Sequence, residues 1–95
     1  MLSTTLSLAG CSIDLRANTV TRGEDILRLR SKEAQLLHYL LSHVNEVVTQ
    51  EDLLVNVWNY QPTMQTRTVY TTVRRLRHKI EPNPKQPVHL MSASD

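Results

Sequence analysis

Residues 66–81, TRTVYTTVRRLRHKIE, decide the architecture of this chain. Wound as a helix, they show two faces. Val69, Val73, Leu76 and Ile80 fall within about 40° of a common line at ~100° per residue. Arg67, Thr71, Arg74, Arg75 and His78 fall on the opposite side. Arg67, Arg74, Arg75, Arg77 and Lys79 all lie between positions 66 and 80, with no Asp or Glu among them. A solvated helix face ordinarily mixes both signs of charge, and here the negative sign is absent. An apolar seam backed by uncompensated guanidiniums suits a helix that rests on a core and faces phosphate.

The residues before this stretch supply the core it needs. Positions 59–65 hold Pro62 and no apolar periodicity, so they read as a loop. Upstream of the loop, Thr49 with Asp52 three residues on forms a variant capping box. It opens a short helix whose Leu53, Leu54, Val57 and Trp58 share a face. Before that, Ser31 predicts an N-cap and Glu33 adds negative charge in the first turn. The helix that follows carries Leu36, Leu37, Leu40, Leu41 and Val44 on a wide apolar face and ends at Asn45-Glu46. Its His38 and His43 lie away from that face.

Residues 5–30 read as short strands. Leu6 and Leu8, then Ile13 and Leu15, alternate with polar neighbours. Positions 16–18 and 22–25 read as turns, and Val20 and Ile26 flank a hairpin. After the third helix, Pro82, Asn83, Pro84 and Pro87 prevent its continuation, and residues 88–91 read as a last strand. The expected fold is α+β: an antiparallel sheet over 1–30, a three-helix core over 31–81, and a partial wing over 82–95. The second and third helices form a helix-turn-helix pair, and the long loop between them points to the winged variety.

Composition narrows the function. Ninety-five residues allow one domain with a modest core. No apolar run approaches the ~18 residues of a membrane span, and no secretory signal pattern opens the chain. The lone Cys11 makes neither an internal disulfide nor a thiolate metal site, and a reducing cytoplasm fits it. His38, His43, His78 and His89 are dispersed, so no metal site is expected. With only Gly10 and Gly23, the chain has no glycine-rich phosphate loop. The acid pair Glu51-Asp52 is accounted for by the helix start rather than by catalysis. An enzyme is not expected, nor a cofactor. The net charge of +2 hides a segregation: residues 1–65 carry net −2 and residues 66–95 net +4. Segregated charge steers a polyanion more than the total does.

The same residues carry a resemblance. Val57-Trp58, then Arg67-Thr68-Val69, then the run from Val73 through Ile80 resemble the signature of the OmpR/PhoB-type winged-helix domain, the DNA-binding effector of many bacterial response regulators. LRSKEAQLL at 29–37 and VVTQEDLL at 47–54 are similar to its strand-into-first-helix and second-helix segments, so the likeness spans nearly the whole chain. It implies sequence-specific binding of double-stranded DNA in transcription regulation, with the third helix in the major groove. It implies that Arg75 reaches base edges, that Arg67, Thr68, Arg74 and Arg77 hold phosphates or flank the bases, and that Trp58 packs where helix meets DNA backbone. Arginine pairs with guanine O6 and N7, and threonines such as Thr71 and Thr72 touch a thymine methyl or a phosphate, with plain filler on a tight helix face an equal expectation for Thr72. Arg77 lies nearer the apolar seam and is expected to reach sideways to a phosphate or a helix carboxylate, and core packing is expected of Trp58 ahead of a direct contact. His78 lies among them on the outward face.

Two features depart from the family pattern. Tyr70 stands where an acid is usual in the third helix, which leaves that helix more uniformly basic. The family's wing closes through a glycine-rich turn and a strand with Gly-Tyr-Arg-like residues, whereas this sequence stops at Ser92-Ala93-Ser94-Asp95. The competing expectation is a winged-helix module that contacts a protein, with weak or lost DNA binding. RNA polymerase is a candidate partner under either reading. A monomer is expected in isolation, with pairing on tandem DNA half-sites.

Overall fold

Two-residue turns and alternating side chains build the N-terminal third. The computed structural model describes residues 5–91. Strands β1 (Thr5–Leu8), β2 (Cys11–Asp14), β3 (Thr19–Arg22) and β4 (Asp25–Arg28) form one antiparallel sheet in sequence order. Gly10 closes the first hairpin at φ 87°. Gly23 closes the third at φ 60°, in the first central position of a turn that favours glycine there. Between β2 and β3, the Asp14 carboxylate accepts the N–H groups of Arg16 and Ala17, each at 3.0 Å, and Asn18 takes a left-handed φ of 56°.

Pairing register decides which side chains face the core. Val20 pairs with Leu27, and Thr21 with Ile26. Ile13 and Val20 are fully buried, Leu27 packs against them, and Ile26 is exposed. The hairpin predicted around Val20 and Ile26 is present, but Leu27 is the inward residue on its second strand. Alternation along IleLeuArgLeu leaves this choice to the turn, which sets the register.

Helices α1 (Ser31–Leu41), α2 (Gln50–Asn56) and α3 (Thr68–Ile80) follow. Ser31 is the first helical residue rather than the cap; Arg30 precedes the helix in extended conformation, and its N–H donates to Glu33 Oε1 at 2.9 Å. The first helix ends at Leu41, earlier than expected, and Val44 lies beyond it, exposed. The second helix begins as expected. Thr49 Oγ1 accepts the Asp52 N–H at 3.1 Å, and the Asp52 carboxylate accepts the Thr49 N–H. Leu36, Leu54 and Leu76, one from each helix, meet Ile13 and Val20 of the sheet at the centre of the core. Burying each such leucine stabilises the fold by roughly 1.5–3 kcal/mol.

The C-terminal segment departs from expectation. Residues 88–91 form no strand. Instead, the buried Glu81 carboxylate accepts the N–H groups of Val88 (2.9 Å), His89 (3.0 and 3.2 Å) and Leu90 (2.6 Å). Arg77 Nε donates to the Leu90 carbonyl at 2.9 Å, and Leu90 packs against the core. These amides are spent on a side chain, so they are not offered to a neighbouring strand. The remainder of the expected wing, 92–95, lies outside the described residues.

Burial pushes the Glu81 carboxyl up, but the Leu90, Val88 and His89 N–H groups and the His89 ring outweigh it, leaving the pKa below 4.5. A lowered folded-state pKa adds stability above the ordinary carboxylate range, and this is lost as pH falls through the folded value. Glu81→Gln is expected to cost ~2 kcal/mol at pH 7, because the charge-assisted bonds weaken. Urea denaturation of both proteins at pH 7 and pH 3 checks this; the gap between them narrows toward the acid end.

Candidate nucleic-acid interface

The third helix sits on the core through Val69, Leu76 and Ile80, all buried, with Val73 half-buried beside them. The seam expected from the sequence is therefore the seam observed. The helix begins at Thr68; Thr66 Oγ1 accepts the Thr68 N–H at 3.2 Å and so leads the chain in. Arg67, Tyr70, Arg74, Arg75 and His78 are exposed, and Thr68 and Thr71 are half-buried.

The five cations of this stretch fall into two groups. Lys79 turns inward: its ammonium bridges to the buried Glu33 of α1 and donates to the Arg28 carbonyl at 3.0 Å. The second Glu33 oxygen, also buried, has no hydrogen-bond partner among the described residues. Arg77 turns sideways to the Leu90 carbonyl. By contrast Arg67, Arg74 and Arg75 stand outward. Among the described residues, neither Arg74 nor Arg75 has an ion pair or a side-chain hydrogen bond. The Arg67 guanidinium lies over the Tyr70 ring, 5.1 Å from its centroid.

Other expected site residues are placed less favourably. Thr72 is on the core side, 7% exposed, and its hydroxyl donates to the Thr68 carbonyl at 2.8 Å. It offers nothing to an outside ligand. Its place in the sequence allowed either face, and the packing of Val69 and Leu76 turned it inward. Trp58 is buried with its ring in the core, the packing expected of it ahead of a direct contact. Arg77 is committed to the C-terminal segment, a contact that depends on the 88–90 fold and left no trace in local spacing.

Two residues outside the predicted set join the surface. Arg30, exposed at the start of α1, shares a cleft of about 230 Å³ with Glu33, Arg75, His78 and Lys79. Arg22 Nη1 donates to the His78 carbonyl at 2.9 Å and so caps the last turn of α3. Neither is visible in the sequence of the helix, since both come from elements that fold back onto it. Among the described residues no cluster of three or more His, Cys, Asp or Glu could hold a metal ion, and no helix is long and apolar enough to cross a membrane.

The division between inward and outward cations has a measurable consequence. Lys79→Met strands the buried Glu33 charge and is expected to cost ~2–3 kcal/mol, less than for a fully buried pair because Lys79 is 21% exposed. Arg74→Ala and Arg75→Ala are expected to stay within ~0.5 kcal/mol of the parent. Guanidinium denaturation of the three variants separates the two groups.

Comparison with known proteins agrees with this geometry. The family model described as "Transcriptional regulatory protein, C terminal" matches residues 23–93. The fold is similar to that of the Klebsiella pneumoniae RstA DNA-binding domain, solved in complex with the RstA box. The TM-score is 0.70 at 24% identity, over 90% of this chain and 85% of that one. It is also similar to the DNA-binding domain of CpxR from E. coli, with a TM-score of 0.63 at 24% identity over 82% and 76% of the two chains. With three-quarters of its length inside the family model and the winged-helix arrangement of sheet and helices around it, the chain belongs to the OmpR/PhoB-type family of transcriptional regulatory protein C-terminal domains.

Proposed function

We infer that this chain binds duplex DNA in a sequence-specific manner as the effector domain of a bacterial transcription regulator of the response-regulator type, with α3 in the major groove. The observation that carries the reading is the outward face of α3. Three guanidiniums, those of Arg67, Arg74 and Arg75, project from one helix that has no acid in its first turn. The two neighbours of known fold are DNA-binding domains by name, and one was solved on its DNA.

Arg75 is the base reader. It stands to one side of the outward face, beside the cleft shared with Arg30, and its planar fork matches the guanine major-groove edge. Arg74, about 100° around the helix, serves a phosphate. Thr68 and Thr71, half-buried at the start of the helix, have hydroxyls suited to the backbone that flanks the groove. His78 continues the face toward the C-terminal end. Arg77 and Lys79, although basic, act inside the protein; they hold the helix in position for the others.

This assignment separates affinity from specificity. Arg74→Ala is expected to weaken binding to all duplexes alike and to reduce the salt slope by about one. Arg75→Ala is expected to relax base preference at one position, with a loss of about 1–3 kcal/mol on the best site and little on scrambled DNA. Fluorescence anisotropy on selected and scrambled duplexes, titrated with salt, measures both. Equal, salt-insensitive binding to the two duplexes by the parent protein would overturn the reading.

A further inference from the structure

Tyr70 is the one large aromatic side chain on the outward face of α3. It is the third residue of the helix and is 56% exposed, so it does not belong to the core. The Arg67 guanidinium covers its ring at 5.1 Å. Arg74 lies four residues on, one turn away on the same side of the helix. The exposed ring lies under one stacked arginine, and the second arginine, one turn on, is unpaired among the described residues. A stacked guanidinium limits the rotamers open to the ring. The ring therefore meets a ligand already ordered.

Recognition helices present their N-terminal residues to base edges. In the major groove the apolar landmark is the C5-methyl group of thymine, which is read by apolar contact rather than by hydrogen bonds. We propose that Tyr70 is a specificity-determining residue that reads a thymine methyl through its ring, with Arg67 as the positioning residue that holds the ring in place. The proposal rests on the DNA-binding reading above and adds to it a second base-reading point, five residues before Arg75. The phenol oxygen is not the reading group, so the ring without its hydroxyl suffices.

The test is selection from a randomised duplex library with the parent protein, Tyr70→Phe, Tyr70→Ala and Arg75→Ala, followed by a deoxyuridine scan of the selected site. Circular dichroism melting checks that each variant folds, as expected for exposed positions. The parent and Tyr70→Phe are expected to share a thymine preference that Tyr70→Ala lacks. Replacing that thymine by deoxyuridine is expected to weaken the parent about fourfold, the value of one buried methyl group, and to leave Tyr70→Ala unchanged. If Tyr70→Ala keeps the parent's preferences while Arg75→Ala loses its own, the DNA-binding reading stands and this inference fails. If Tyr70→Phe behaves like Tyr70→Ala, the hydroxyl rather than the ring makes the contact, and the proposal is overturned. If the parent enriches no sequence even at low salt, both readings fall together.

Discussion

The ammonium group of Lys79 joins the three parts of this fold. From the last turn of α3 it reaches the Glu33 carboxylate in the first turn of α1 and the carbonyl of Arg28 at the end of β4. Glu33 is itself held by the Arg30 N–H at the start of α1. Sheet, first helix and third helix are thus fixed at one point. A buried ion pair adds little to net stability, because desolvation offsets most of its attraction, but it is intolerant of displacement. Apolar packing of Leu36, Leu54 and Leu76 supplies the energy of the fold. The Lys79–Glu33 pair supplies the setting of α3, which the apolar contacts alone leave freer to rotate.

Fixing that end of α3 distributes the work along the helix. Its C-terminal turn is satisfied from within. Arg22 donates to the His78 carbonyl, and Arg77, His78 and Lys79 place positive charge where the helix dipole favours it. Its N-terminal turn has no acid and no side-chain cap on Arg67. The positive end of the dipole is left facing outward together with Arg67, Arg74 and Tyr70. The helix is therefore anchored toward its C-terminal end and left electropositive at its N-terminal end. The summed charge of the C-terminal third overstates the charge available to a ligand, because two of its cations act as internal ties.

Much of this was legible in the chain. The periodicity of Val69, Leu76 and Ile80 identified the buried seam, and the Thr49–Asp52 box marked the start of α2, because both signals are local and each was met by its expected partner. The sheet was legible as strands but not as register, since one residue of slip exchanges Ile26 for Leu27. On α3 the exposed arginines were legible as a group. Their sorting was not: the partners that claim Lys79, Glu33 and Arg28, lie about fifty residues away, and Arg77 is claimed by a carbonyl in a segment read as a strand. Thr72 was open between contact and filler for a simpler reason. It lies at the boundary between faces, where its hydroxyl is satisfied by the carbonyl one turn back.

The segment after α3 shows how one carboxylate substitutes for a strand partner. A strand over 88–91 requires its N–H groups to meet carbonyls in line on a neighbour. Glu81, two residues from Asn83 and buried at the end of α3, instead gathers three successive N–H groups onto two oxygens. That geometry curls the backbone and precludes a ladder over the same residues. It also resolves the burial of Glu81, since a carboxylate with four N–H contacts has replaced its lost water. Arg77 then closes the curl through the Leu90 carbonyl, so the segment is held by a residue of α3 itself. Any rearrangement of residues 88–90 into a paired strand must release Glu81 and Arg77 together. The position of α3 and the conformation of the C-terminal segment are in this way one coupled choice rather than two.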